Sequence, residues 1–246
     1  FSKKLNIYEN PDELMSISLG SAETTLLKIT SAYCSFLNGG KLVNPILIDR
    51  IQDSEGKTIF NNEKRYCENC DLISYDGSSN PIIKNKYQQI FSPQTAYQMT
   101  SMLKGVIQRG TGKGLKDLKL ELAGKTGTTN KNTDTWFIGF TSNLVVGVYI
   151  GYDNPKSLGK FETGSKTAMP VFKEFIKKTA NTYNARPFKV ADNIKMMVVD
   201  AKTGKKADSK TQLAIIESFK VNDKNFDKSS KNIDGRLNST NILKFY

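Results

Sequence analysis

Lys125-Thr126-Gly127 sets a fixed cation, a hydroxyl and a residue without Cβ side by side. On a strand edge that combination supplies a positive charge and a hydroxyl to a substrate, and the missing Cβ would let a substrate backbone lie alongside. Taken one residue earlier, Gly124-Lys125-Thr126 matches the end of a phosphate-binding loop. That motif wants a glycine five places before Gly124, and Lys119 stands there, which removes the backbone cradle for phosphate. The tripeptide alone discriminates little, because Lys202-Thr203-Gly204 repeats it within Asp200 to Lys205, a stretch that reads as a hairpin turn.

The chain has no histidine. Ser-His-Asp and Cys-His nucleophilic systems, HExxH zinc sites and imidazole proton shuttles are therefore excluded for this chain acting alone. Its 3 cysteines cannot build a four-cysteine zinc site. Cys67 and Cys70 form a C-x-x-C in Asn/Asp/Ser-rich sequence, with no second ligand pair for a metal and no strand-helix setting for a redox motif. The favoured reading is a short disulfide pinning a loop, which implies an oxidising, extracytoplasmic compartment. Cys34 lies on an apolar helical face and reads as a core residue.

The surroundings of Lys125 separate the two tripeptide copies. Arg109 to Gly112, Ala123 to Asn130, Asp134 to Phe140 and Val145 to Asp153 closely resemble the transpeptidase domain of bifunctional, class A penicillin-binding proteins. The likeness extends upstream to Ser18 to Thr25, Ser31-Ala32-Tyr33 and Phe36 to Gly40, and downstream to Thr163-Gly164-Ser165 with Pro170 to Lys173, covering residues 1–185. It implies an α+β fold, an antiparallel sheet flanked by helices, of the penicillin-binding transpeptidase and serine β-lactamase kind. It further implies a D-alanyl-D-alanine transpeptidase that cross-links peptidoglycan stem peptides, is acylated by β-lactams, handles protons with lysine and needs no metal or other cofactor.

Such enzymes gather S-x-x-K, S-x-N and K-T-G around one cleft, and only the third is recognisable here. Ser54 to Lys57 and Ser157 to Lys160 match S-x-x-K as text but sit in glycine-containing turns, whereas the nucleophile must open a helix. Ser101 to Lys104 falls deep inside a helical segment that leads into K-T-G. Ser78-Ser79-Asn80, Ser230-Lys231-Asn232 and Ser239-Thr240-Asn241 match S-x-N only in polar sequence. The expectation is thus an N-terminally truncated or split enzyme, inactive by itself, whose nucleophile belongs to an upstream fragment. The resemblance assigns roles on the surviving strand. Lys125 would attract the substrate's terminal carboxylate and Thr126 would donate a hydrogen bond to it. Gly127 would admit the peptide backbone. The backbone N–H of Thr128 would form half of the oxyanion hole, with its side chain adding a carboxylate contact. The bland alternative is an exposed strand edge with no such role.

The elements that must carry these residues are legible in outline. Ser21 reads as the N-cap of a helix with apolar positions from Leu26 to Leu37, closed by Gly39-Gly40. Leu42 to Phe60 reads as a hairpin, with the apolar run Ile46-Leu47-Ile48 and a turn at Asp53 to Gly56. Residues 61–91 read as a polar surface excursion. Ser92-Pro93 opens a second helix with an inward face of Ala96, Met99, Met102, Leu103, Val106 and Ile107. Strands at Leu122 to Thr126, Thr135 to Thr141 and Leu144 to Tyr152 have short links that make them antiparallel neighbours. A helix from Met169-Pro170 offers Val171, Phe172, Phe175 and Ile176 to that sheet. The domain reading is the transpeptidase portion over 1–185, a small β extension over 186–220 and a disordered tail over 221–246.

The 246 residues carry 36 Lys+Arg against 24 Asp+Glu, a net charge of +12, which attracts anionic partners without naming one. Only 5 of the cations are arginine, the residue that reads guanine edges and phosphates, so no nucleic acid partner is expected. The resemblance places the parent protein at the periplasmic face of the bacterial inner membrane, although no signal segment or membrane anchor is visible in this stretch. Two readings of another class stay open: a non-catalytic basic module binding cell-wall glycan or another polyanion, and a gene remnant that does not accumulate.

Overall fold

The computed structural model describes residues 1–68, 82–179 and 186–221. The chain divides into two compact units, Phe1–Ser35 with Lys41–Ile90, and Phe36–Gly40 with Phe91–Tyr246.

The first unit holds most of helix α1 (Leu26–Leu37) and two hairpins. Its N-cap is Thr25, whose Oγ1 accepts the Lys28 N–H at 3.2 Å. Ser21 was the expected cap, but it lies too far ahead of the first helical turn to reach an orphan N–H. Strands β1 (Arg50–Gln52) and β2 (Thr58–Asn61) pair antiparallel around the turn foreseen at Asp53. There Oδ1 accepts the N–H groups of Glu55 at 3.0 Å and Lys57 at 2.8 Å, and Gly56 takes φ 82°. Ile46-Leu47-Ile48 is exposed irregular chain rather than the expected strand. The polar excursion is not featureless: β3 (Arg65–Glu68) and β4 (Ile82–Asn85) form a second exposed antiparallel pair. Cys67 is disulfide-bonded and Cys34 is free. Cys70, the expected partner, lies outside the described residues. Cys34 is half-buried rather than fully enclosed, and burial still pushes its thiol pKa up.

The second unit is built on α2 (Pro93–Arg109) and a three-stranded sheet. Ser92 Oγ accepts the Thr95 N–H at 3.2 Å and Pro93 occupies the first turn, as the sequence required. The buried stripe is Ala96, Thr100, Leu103 and Ile107, leaving Met102 exposed. Steps of four, three and four residues keep one face inward, and Met102 falls off that line. After a 3₁₀ turn at Lys113–Leu118 come β5 (Ala123–Thr128), β6 (Asp134–Phe140) and β7 (Val145–Gly151), antiparallel in that order.

Helix α3 (Ala168–Thr179) covers one face of this sheet. Its inward stripe is Ala168, Phe172 and Ile176, with Met169. Val171 and Phe175, expected inward, stand about a hundred degrees around the helix and are exposed. Phe172 packs on Phe137 with ring centroids 4.8 Å apart, and Ile107, Leu115 and Leu122 complete this core. At Gly139 a Cβ would stand 2.6 Å from the Phe172 ring, so β6 needs glycine there to admit the helix.

Strands β8 (Ile194–Asp200) and β9 (Ala214–Lys220) form an antiparallel pair. Gln98 Nε2 donates to Ser218 O at 3.1 Å, Lys220 Nζ donates to Thr95 Oγ1 at 2.8 Å, and Arg109 pairs with Glu217, all tying β9 to α2. Lys202-Thr203-Gly204 is the turn expected: Asp200 Oδ1 accepts the N–H groups of Lys202 and Thr203, and Gly204 has φ 68°. No described helix is long and apolar enough to cross a membrane. The tail from residue 222 lies outside the described residues.

Candidate active-site strand

Among the described residues the sheet order leaves β5 with one strand partner, β6, and one free edge. Thr129 N–H donates to Asp134 O at 3.2 Å, and Thr128 stands opposite Thr135, Gly127 opposite Trp136 and Lys125 opposite Ile138. Antiparallel ladders alternate, so Gly127/Trp136 and Lys125/Ile138 are the hydrogen-bonded pairs. The N–H and C=O groups of Thr126 and Thr128 therefore point to the free edge. That is the arrangement an added peptide strand uses, and it directs the Thr128 N–H to the open edge.

Side chains alternate as well. Thr126 and Thr128 share the face of Phe137 and Thr135, toward α3, while Lys125 and Gly127 lie on the opposite face with Trp136 and Ile138. On this count Lys125 and Thr126 should not serve the same ligand group. The length of the lysine resolves it: Nζ curls back to the edge and donates to Thr126 O at 2.8 Å. Lys125 is exposed, and none of the ion pairs among the described residues involves it. Its charge is thus held at the edge by a neutral carbonyl and is available to an anion.

Two further segments fix the strand. Thr126 Oγ1 lies 2.9 Å from Thr111 Oγ1, in the loop after α2. Thr128 Oγ1 accepts the Gly164 N–H at 3.1 Å. Gly164 is buried, and a Cβ there would stand 2.5 Å from Trp136 O and 2.6 Å from Gly127 O. Backbone crosses backbone here, and only glycine leaves the room. At Gly127 itself a Cβ would stand 3.1 Å from Trp136 Cβ. The Thr128 hydroxyl is thus already an acceptor, and its proton remains to give. Thr111 and Gly164 both fall in segments that carry the family resemblance, but their contacts with β5 were not legible, since they join chain segments 15 and 36 residues from their partners.

None of the three S-x-x-K matches opens a helix. Ser101 lies within α2, and Lys104 pairs with Glu121. Ser54 is in the β1–β2 turn, and Ser157 Oγ accepts the Gly159 N–H at 3.2 Å. Among the described helices none opens with serine followed three residues later by lysine. Of the S-x-N matches, Ser78-Ser79-Asn80 and the two beyond residue 222 lie outside the described residues. No group of three or more acidic, cysteine or histidine residues among the described ones is placed to hold a metal.

An antiparallel sheet with a Lys-Thr-Gly strand on its open edge and a helix across its face defines an α+β fold of the penicillin-binding transpeptidase class. The chain belongs to that family: residues 4–177 match the penicillin binding protein transpeptidase domain. The chain is 43% identical over 222 residues to penicillin-binding protein 1A of Rickettsia prowazekii, covering 89% of this chain and 28% of the relative. Penicillin-binding protein 1A of Haemophilus influenzae, known from a crystal structure, superposes on 89% of this chain and 35% of its own, with a TM-score of 0.72 and 26% identity. The Mycobacterium tuberculosis protein PonA1, solved in complex with penicillin V, shares the fold at a TM-score of 0.55 and 18% identity, over 76% of this chain and 50% of its own. The chain thus spans roughly a third or less of the curated relatives it matches.

Proposed function

We propose that this chain is the part of a peptidoglycan D-alanyl-D-alanine transpeptidase that walls the substrate site, with residues 1–185 the transpeptidase portion, 186–220 a β extension and 221–246 a tail. The observation that carries the reading is the free edge of β5, where the Thr126 and Thr128 backbone groups and the Lys125 ammonium face the same open side. A stem peptide, or a β-lactam in its place, lies along this edge as an added strand. Lys125 attracts its carboxylate, Thr126 and Thr128 donate hydroxyl protons to it, and Gly127 clears the path. The Thr128 N–H stabilises the oxyanion. On this reading the S-x-x-K and S-x-N matches of the 246 residues are textual only, and the nucleophilic serine, its lysine and the S-x-N motif come from another segment. With nothing to activate for covalent attack, the chain alone forms no acyl-enzyme. The complete enzyme works at the periplasmic face of the inner membrane, without a metal or other cofactor and without nucleic acid.

The test joins this chain to the upstream transpeptidase segment of a full-length relative such as the Rickettsia prowazekii protein, and reads labelling by a fluorescent penicillin on a denaturing gel. The chimera should label and the 246-residue chain should not. Lys125→Ala should slow acylation by roughly 10- to 1000-fold, the scale of one charge-assisted contact made in the transition state, while Lys202→Ala leaves it unchanged. An unlabelled chimera beside a labelled parent, or equal effects at the two lysines, would reduce β5 to a structural edge and favour a non-catalytic basic module. A covalent band on the isolated chain would return Ser101 to consideration.

A further inference from the structure

We propose that Thr111 is a positioning residue for carboxylate recognition: its hydroxyl donates to Thr126 Oγ1 and thereby commits the Thr126 proton to the bound carboxylate. The inference rests on the reading of β5 as the substrate wall.

Thr111 lies outside the Lys-Thr-Gly tripeptide, and its Oγ1 is 2.9 Å from Thr126 Oγ1. Either hydroxyl can be the donor in the empty site. Each carries one proton and two acceptor lone pairs. A carboxylate only accepts, so once Thr126 gives its proton to the substrate, the bond between the two threonines must be served by the Thr111 proton. The anion therefore selects one direction for both hydrogen bonds, and a chain of hydroxyls pointing the same way polarises along its length.

The loop is shaped to deliver this hydroxyl. The N–H groups of Gly110 and Gly112 both donate to Val106 O at 3.0 Å, wrapping Thr111 tightly around the end of α2. A Cβ at Gly110 would stand 3.0 Å from the Val106 backbone, and one at Gly112 would stand 2.6 Å from Ile107 Cδ1. One residue earlier, Arg109 is held by Glu217 of β9. Its guanidinium lies over Gly105, where a Cβ would be 2.9 Å from Cζ. The β8–β9 pair thus braces the turn that presents Thr111 to the strand.

A fastening role and a proton-directing role predict different substrate dependence. The same chimera, carrying Thr111→Val, Thr111→Ala or Thr111→Ser, is acylated with a penicillin and with the methyl ester of that penicillin. Val and Ala should slow acylation by the free acid roughly 3- to 12-fold, the range of one hydroxyl hydrogen bond, and leave the ester rate within about 2-fold. Ser should restore the free-acid rate. Equal losses on acid and ester, or failure of Ser to rescue, would show that Thr111 only fastens the loop. The agreement of Val and Ala guards against a packing defect peculiar to one of them. A labelled chimera indifferent to Thr111→Val overturns this inference and leaves the β5 reading standing. An unsubstituted chimera that takes no label overturns both.

Discussion

Gly164→Ala should damage the candidate site from outside the Lys-Thr-Gly strand. The added methyl carbon would stand 2.5 Å from Trp136 O, 2.6 Å from Gly127 O and 3.2 Å from Gly127 N. Ordinary contact at such atoms begins about 3.4 Å away, so relief needs a displacement of roughly 0.8 Å. No flexible side chain can swing clear, because all three atoms belong to the β5–β6 ladder. Either the ladder opens at Gly127 or the segment carrying Gly164 lifts, and lifting stretches its 3.1 Å hydrogen bond to Thr128 Oγ1. Overpacking of this kind costs about 1–3 kcal/mol, which for a chain of this length lowers Tm by roughly 2–12 °C. A misplacement near 1 Å also costs on the order of 100-fold in rate. Calorimetry on the chain and penicillin acylation of the chimera read the two effects separately. Gly204→Ala is the control: its φ of 68° makes alanine strained, but a Cβ there meets nothing within 4 Å. It should cost about 1 kcal/mol of stability and leave acylation untouched. Tm and acylation both unchanged in Gly164→Ala would refute the close crossing and the support it gives to β5.

Phe172→Ala should destabilise the second unit by about 3–5 kcal/mol, since the ring is fully buried against Phe137. Phe175→Ala, on an exposed position of the same helix, should stay within about 0.5 kcal/mol in denaturant titrations. The β8–β9 turn should respond to acid. The N–H groups of Thr203 and Lys202 hold the Asp200 carboxyl below its ordinary value of 3.8. A depressed folded pKa contributes stability above the unfolded value that is lost as pH falls through the folded one. Melts recorded downward from pH near 5 should therefore show Asp200→Asn with a shallower acid loss than the parent, and parallel curves would contradict the linkage.

Local sequence determined the elements whose signals are short-range. The cap and first turn at Ser92-Pro93, the turn at Asp53 to Gly56, the Asp200 turn that disqualifies the second Lys-Thr-Gly, and three successive strands all follow from residues a few positions apart. The residues around Lys125 carried the family reading in the same way, and the missing histidine agreed with it. The choice of inward face was not local. Met102, Val171 and Phe175 are as apolar as their buried neighbours, and which of them packs depends on where the sheet meets the helix. The cap of α1 moved from Ser21 to Thr25 because two hydroxyls competed and the helix start decided between them. The site itself was half legible. Its residue types sit in one tripeptide, but three facts come only from pairing across the chain. β5 is an edge, its Thr126 and Thr128 backbone groups turn outward, and Thr111 and Gly164 close on it from opposite directions in sequence. Ladder register and backbone crossings join residues far apart along the chain. No local propensity encodes them, and tertiary packing decides them.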